Sequence, residues 1–519
     1  MKINIYNIKK SIFILVLTYI ILLILLLFFS SSLEVINYKF FDLKMKICGN
    51  LRSDKNKIRE KIVTISVEDN KTIPEIGFPS ILYHAKMIEK LTKIGVHSIL
   101  YDFVFNGNIS EEFIDKSKNA NIFWPIIFNL TREKKNAFKL NKYSTTQQKL
   151  IINYSIYNSS TIAKTDNFYY STQGMFPNNE IIYNSKGTGH SSTQNDENDT
   201  SNTFRKMALL LNIDEHLFPS IDLVVICNYL QVPVDKIVIK PGQEIIIPNA
   251  KFPDSNIEDV IIPINERYEM WINYIKPWNI NKHGFLEPFW FVSILNLEND
   301  PEQEKEIQDR LKNKICLVGN ASTINRDIHI IPIDDNYPGI GIHSHVIYTI
   351  LSKNFIKFLP VYYTLIIIFI NLLALSLIID KLNSILVFSL SLVFNFFYFF
   401  VSYILFIISG IAFYDFIPFL GFLLYGLLYL IVSYLYKTKE VTELKQQLEL
   451  LNNELDKKKC SIGKYAEELL EFRSKKVNNI LISETVNETI NKLKLKINEE
   501  EERIKIIEKE KEELLKRIS

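Results

Sequence analysis

Apolar residues gather along this chain into four long runs, several short ones and one regular stripe. The long runs occupy residues 12–29 and about 361–379, 384–407 and 417–436. At about 1.5 Å per residue, a helix of that length crosses a hydrocarbon core of about 30 Å. The first run follows Lys9 and Lys10 and ends near Ser30, Ser31 and Ser32. A cleaved signal peptide shares those features, but its apolar core is usually about 7–15 residues; an uncleaved anchor is expected. Charges sit only in the turns around Asp380-Lys381 and Asp415. Ion paths and transport sites usually need ionisable groups within the membrane, so neither a transporter nor a channel is expected. Lys2, Lys9, Lys10, Lys381, Lys437 and Lys439 share the cytoplasmic side under the positive-inside tendency, with Lys353 and Lys357 against it. The expected arrangement is a cytoplasmic N-terminus (1–11), a first span (12–32) and an extracytoplasmic or periplasmic domain (33–358). Three further spans lie within 359–436 and a cytoplasmic tail covers 437–519, so both termini face the cytoplasm across the inner membrane.

Short apolar runs organise the domain. Ile62 to Val67 (IVTISV) and His97 to Phe105 (HSILYDFVF) read as buried strands. Between them Tyr83, Met87, Ile88, Leu91 and Ile94 fall at helical spacing, with Gly95 as the stop. This β-α-β unit predicts a parallel pair with a right-handed crossover. Ile122 to Phe128 and Lys314 to Val318 read as further strands. Residues 131–203, rich in Ser, Thr, Asn and Lys, read as a polar insertion. A helix is expected at 218–230, and alternating strands at 236–239, 244–248 and 259–263 predict an antiparallel section. The fold class is α/β with a mixed, partly parallel sheet, followed by membrane helices and an α-helical coiled coil.

The stripe begins after Tyr436. Val441, Leu444, Leu448, Leu451, Leu455, Ile462, Tyr465, Leu469 and Phe472 repeat at steps of three and four, with Lys458 as a polar intruder. Past a break near 475–489, Ile490, Leu493, Ile497, Ile504, Ile507, Leu514 and Ile518 continue it, with Glu500 and Lys511 as polar gaps. A lone helix cannot bury such a seam. A homodimer through the coiled coil is expected, and an antiparallel hairpin formed by folding back at the break is the alternative.

Composition narrows the chemistry. Net charge is +2, too small for a basic field that would hold nucleic acid. Cys48, Cys227, Cys316 and Cys460 lack ligand spacing for a structural metal. Cys227 and Cys316 sit in apolar runs that predict buried thiols, with one disulfide among Cys48, Cys227 and Cys316 the alternative. His343 and His345 invite a metal reading with His329, but a pair two residues apart after Pro-Gly marks a strand or helix entry. No metal, cofactor or catalytic set is expected. In open parallel sheets, ligands lie outside the carboxyl ends of the strands. Glu68, Asp69 and Asp102 would stand there with Asn320 to Thr323, each carboxylate either a ligand contact or a structural acceptor.

Several pieces, taken in order, resemble the CHASE2 family of extracytoplasmic sensory domains in bacterial receptors. They are Phe41-Asp42-Leu43-Lys44; IVTISVED ending in Glu68-Asp69; Ile76-Gly77-Phe78-Pro79; IGVHSILYDFVF; and Phe123-Trp124-Pro125. Gly189-His190 with Asp199 and Arg205, then Trp271-Ile272-Asn273-Tyr274, follow. LKNKICLVGNASTINRD with Gly319 and Asp327, and YPGIGIHSHVI with His343, complete the set. The family also has one span before the domain and three after it. The resemblance adds Asp327 and His343 to the candidate ligand residues Glu68, Asp69 and Asp102. It implies a sensor of an unknown extracytoplasmic ligand or protein. The kinase and cyclase motifs that such receptors carry after the last span do not occur in 437–519, so a separate cytoplasmic cyclase or kinase is the expected partner. A non-switching membrane tether or scaffold is the alternative, and an enzyme is not expected.

Overall fold

The computed structural model describes residues 5–52, 57–67, 79–156, 168–192, 202–253, 256–278, 289–296, 301–322, 327–378, 382–478 and 484–518. They divide into two compact units. One takes Tyr19–Asn371 with Phe394–Gly421; the other takes Met1–Thr18, Leu372–Val393 and Phe422–Ser519.

Among the described residues, the larger unit is built on a nine-stranded sheet. Along the chain its strands are β1 (Ile62–Val67), β2 (Ser98–Asp102), β3 (Ile122–Thr131), β4 (Tyr170–Met175), β5 (Gly187–His190), β6 (Leu210–Ile213), β7 (His216–Pro219), β8 (Phe289–Trp290) and β9 (Ile315–Asn320). In space they run β8-β1-β9-β2-β3-β4-β6-β7, with β5 beside β3. All six residues of β1 are buried, as expected of a strand covered on both faces. The β-α-β unit is present, with α2 (Ile81–Ile94) ending on Gly95 in the left-handed region, φ 79°. Its two strands are not neighbours, however. β9 enters from more than two hundred residues away and pairs in parallel with both β1 and β2. Its own near-continuous burial suits the central position.

Alternation along the strands makes two layers. Ile99, Tyr101, Cys316 and Val318 pack towards α2 and α3 (Glu111–Lys118). Leu100, Ile315 and Leu317 pack towards α4 (Ile221–Tyr229) and α5 (Gly339–Leu351). Cys227 and Cys316 therefore lie in different cores, and both are free buried thiols, as is Cys48. The stretch 131–203 departs from a polar insertion, because it supplies β4 and β5 to the main sheet. β5 reads Gly-Thr-Gly-His, with no apolar period to reveal it, yet all four residues are buried. Val238–Lys240, Glu244–Lys251 and Ile257–Pro263 form the antiparallel section.

Among the described residues, four helices are long and apolar enough to cross a membrane. They are α1 (Ile5–Cys48), α6 (Val361–Ile378), α7 (Ser384–Ser409) and the first part of α8 (Phe416–Asn478). Leu27, Phe396 and Ile408 are each about three-quarters exposed, at 75%, 76% and 78%. Lipid would cover such side chains. The helix of the first span continues well past residue 32, with one non-helical residue at Phe29.

That continuation ties the α/β domain to the adjoining ends of the other apolar helices, all within the larger unit. Phe41 packs on Trp271, Phe358 and Phe406. Asp42 takes a two-pronged grip from Arg205, 2.7 Å from Nε and 2.6 Å from Nη2. Half a turn on, Lys44 is buried against Asp415, and Ser402 lies 2.8 Å from both of their charged groups. Arg52 donates to the Phe355 carbonyl at 3.0 Å, and Lys357–Phe358 pairs in parallel with Ile411–Ala412. These contacts form a collar.

In the smaller unit, α8 continues beyond the last span and packs antiparallel to α9 (Glu484–Ile518). Leu444, Leu455, Ile490, Leu493 and Ile507 are buried, so the predicted stripe is covered by the chain's own second arm. The two polar intruders meet, with Lys458 Nζ 3.0 Å from Glu500. Lys459 reaches Glu508, and Lys496 lies over the Tyr465 ring. The alternative of folding back is the arrangement found. In a Cys460→Ser background, Lys458→Cys with Glu500→Cys is expected to form a disulfide within one chain. A dimer-sized band on a non-reducing gel would instead mean pairing between chains.

Candidate functional site

The carboxyl ends of β1, β9, β2, β3 and β5 point the same way, because every pairing among them is parallel. Two helices begin at that edge. Gly189 in β5 lets the backbone approach α4 so closely that an added Cβ would lie 2.6 Å from the Ile221 nitrogen. His190 bridges to Ser220, and the Ser220 hydroxyl caps α4 by accepting from the Leu223 N–H at 3.3 Å. At the start of α5, Gly339 donates its N–H to the Asp327 carbonyl at 3.0 Å. The Asp327 carboxylate occupies the space that a Cβ at Gly339 would need. Glycine is required at both places by close approach.

This framework brings acids and histidines together. Asp222, in the first turn of α4, is fully buried. Its carboxylate holds His343 Nδ1 at 2.9 and 3.0 Å, and the positive end of the α4 dipole favours its charge. Burial alone would lower the His343 pKa, but Asp222, then Asp102 and Asp327, outweigh it and raise the value to about 9. Asp327 lies 3.2 Å from His329 Nε2. Asp102, the last residue of β2, keeps some accessible surface. Burial is the main cause that pushes its carboxyl to about 6, with Asp327 and Asp222 adding to the rise and His343 and His329 opposing it. His190 is fully buried, and among the described residues neither ring nitrogen makes a hydrogen bond of ordinary geometry. Burial lowers its pKa to about 3; His343 reinforces this and the Ser192 backbone weakly opposes it. The Ser322 hydroxyl, just past β9, is also buried without a partner among the described residues.

Of the residues expected at this edge, Asp102, Asp327 and His343 share one electrostatic cluster. Glu68, Asp69 and Thr323 lie outside the described residues. His329 joins through Asp327, but His345 does not. Its Nδ1 meets the Gly341 carbonyl at 3.1 Å and the Tyr337 hydroxyl at 3.0 Å, and its Nε2 accepts from the Ile275 N–H at 3.3 Å. That ring is a packed, satisfied core residue. Among the described residues, no group of three or more His, Cys, Asp or Glu is placed to hold a metal ion. Sequence reading missed Asp222, although its signal was available: it is the only charge in a helix that is otherwise apolar or uncharged and almost wholly buried. It also left His190 without a role, because a short polar strand gives no pattern.

Residues 19–377 match the family model of the CHASE2 domain. No curated protein and no solved structure matches the chain.

The buried groups set a pH dependence. His84, His190 and His345 are each held down to about 3 by burial, from an ordinary 6.5. The unfolded chain accepts these protons and the folded chain refuses them. Stability is therefore full above about pH 6.5 and falls on acidification, by on the order of 2 kcal/mol per histidine at pH 5. Asp102 acts in the opposite sense. Its folded value of about 6 exceeds the ordinary 3.8, so its contribution is full below about pH 4 and lost as pH rises through about 6. Asp102→Asn is expected to raise the melting temperature at pH 7.5, and by roughly half as much at pH 5. Melts at the two pH values check this, and equal shifts at both would remove Asp102 from the titration.

Proposed function

The chain belongs to the CHASE2 domain family, a family of extracytoplasmic sensory domains. On that premise we propose that it is a membrane-bound sensor whose signal passes through the membrane helices to a cytoplasmic helical hairpin that engages a separate effector. The supporting observation is the collar. One short stretch of α1 carries Asp42, held by Arg205 of the α/β domain, and Lys44, held by Asp415 between the last two spans. A ligand moves helices only by binding one arrangement better than another. Displacing α1 by one residue, roughly 1.5 Å along its axis, would strain both ion pairs. Breaking a buried pair costs on the order of 3–5 kcal/mol. Such a linkage favours discrete positions over gradual drift.

In this reading both termini are cytoplasmic and the chain carries out no catalysis of its own. The effector is a cyclase or kinase on another chain, and it recognises the hairpin formed by α8 and α9. Homodimerisation through the same seam would require the hairpin to open, because α9 covers the positions a second chain would need. The alternative, a non-switching tether built on the same domain, would use the collar as a rigid joint.

Cross-linking separates the two readings. Arg205→Met and Asp415→Asn each release one side of the collar without touching the tail. In native membranes, each is expected to change the rate at which the Lys458→Cys, Glu500→Cys pair forms its disulfide. The change should be about threefold or more, the effect of a modest population shift. Unchanged rates in both variants, with the outer domain still folded by its melt, leave the tether.

A further inference from the structure

We propose that the carboxyl-edge cluster binds a small ligand carrying a protonated amine, with the ammonium set against Asp102 and Asp327 and a neighbouring hydroxyl or carbonyl set against His190. This rests on the sensor reading and specifies the chemistry of its ligand.

The first observation is the state of Asp102. Its carboxylate has no hydrogen-bond or salt-bridge partner among the described residues. It stands at the end of a central strand, where open parallel sheets receive ligands, and it keeps some accessible surface. The second, independent observation is His190. Among the described residues neither nitrogen of this fully buried imidazole is in a hydrogen bond of ordinary geometry, the Ser192 backbone interacting only weakly, a rare state in folded proteins. It sits beside the start of α4 through its bridge to Ser220, near enough to His343 for that imidazolium to oppose its protonation. The Ser322 hydroxyl, just past β9, which lies next to β2, is a third group unmatched among the described residues. An acceptor, a ring with a donor and an acceptor, and a hydroxyl are the polar complement of a small bound molecule.

The sign of the ligand follows from the charges. Asp222 is committed to His343 and balanced by it. Asp327 has one oxygen near His329, and Asp102 has no counter-charge in contact among the described residues. An incoming anion would meet Asp102 and Asp327 at close range. A metal ion lacks a ready ligand set among the described residues. An ammonium donates several hydrogen bonds and carries the missing charge.

The full chain in detergent or nanodiscs would be titrated with ethanolamine and putrescine, beside glycolate, ethylene glycol and calcium chloride. Melting temperature and calorimetry are the readouts. An amine is expected to raise the melting temperature, and Asp102→Asn and Asp327→Asn are each expected to weaken its binding by about tenfold or more. His190→Gln should weaken ethanolamine more than putrescine. The two aspartate variants carry the same expectation, so a folding failure in one leaves the other decisive. No shift with either amine, or undiminished binding in a folded aspartate variant, overturns the proposal. Calcium or glycolate binding lost in these variants also overturns it and leaves the sensor reading standing. An amine that binds but never alters disulfide formation between the cysteines introduced at positions 458 and 500 sinks the relay and leaves the ligand chemistry intact.

Discussion

A lysine and an aspartate removed from water must find each other, and in this chain they do so from distant parts of the sequence, Lys44 on the first helix and Asp415 before the last. Neither is tolerable alone in an apolar setting. The shared Ser402 hydroxyl and the Tyr403 ring under Lys44 complete the environment. Once Lys44 is placed, Asp42 one half-turn earlier is directed at Arg205, and Phe41 lands among Trp271, Phe358 and Phe406. Three of four consecutive residues thus aim at three separate parts of the larger unit while Leu43 stays half exposed, which gives the Phe-Asp-Leu-Lys motif a physical meaning.

The same economy of placement governs the sheet edge. Strands running parallel send their carboxyl ends to one side, and the return helices on that face must begin there. Gly189 and Gly339 permit the two helix starts to close in. Acids gather at those starts because the backbone dipoles favour negative charge. His343 then neutralises one of them, and the excess acid is what makes this edge chemically distinctive.

The tail follows a third version of the rule. Its stripe of apolar residues demands a partner but does not name one. Lys458 and Glu500 interrupt the two halves of the stripe at positions that meet only when the arms run antiparallel. A polar pair in an apolar seam commonly selects register and orientation at some expense of stability.

Local chemistry by itself determined the membrane runs, the buried strands β1, β2 and β9, the helix α2 with its glycine stop, and the heptad stripe. Each is announced by the period of its own apolar residues, and no distant partner is needed to recognise it. Asp102, Asp327 and His343 were also legible as candidates, through strand ends and motif order. What only tertiary structure decided is who meets whom. β9 enters between β1 and β2, β5 joins the sheet with no apolar signature, Asp222 reaches His343, and Lys44 reaches Asp415. Those pairings depend on burial and charge balance across more than one hundred residues of chain in three of the four cases, and on β3 as a template in the other. A sequence pattern records the face a residue prefers; the partner on that face is settled by the packing of the whole fold.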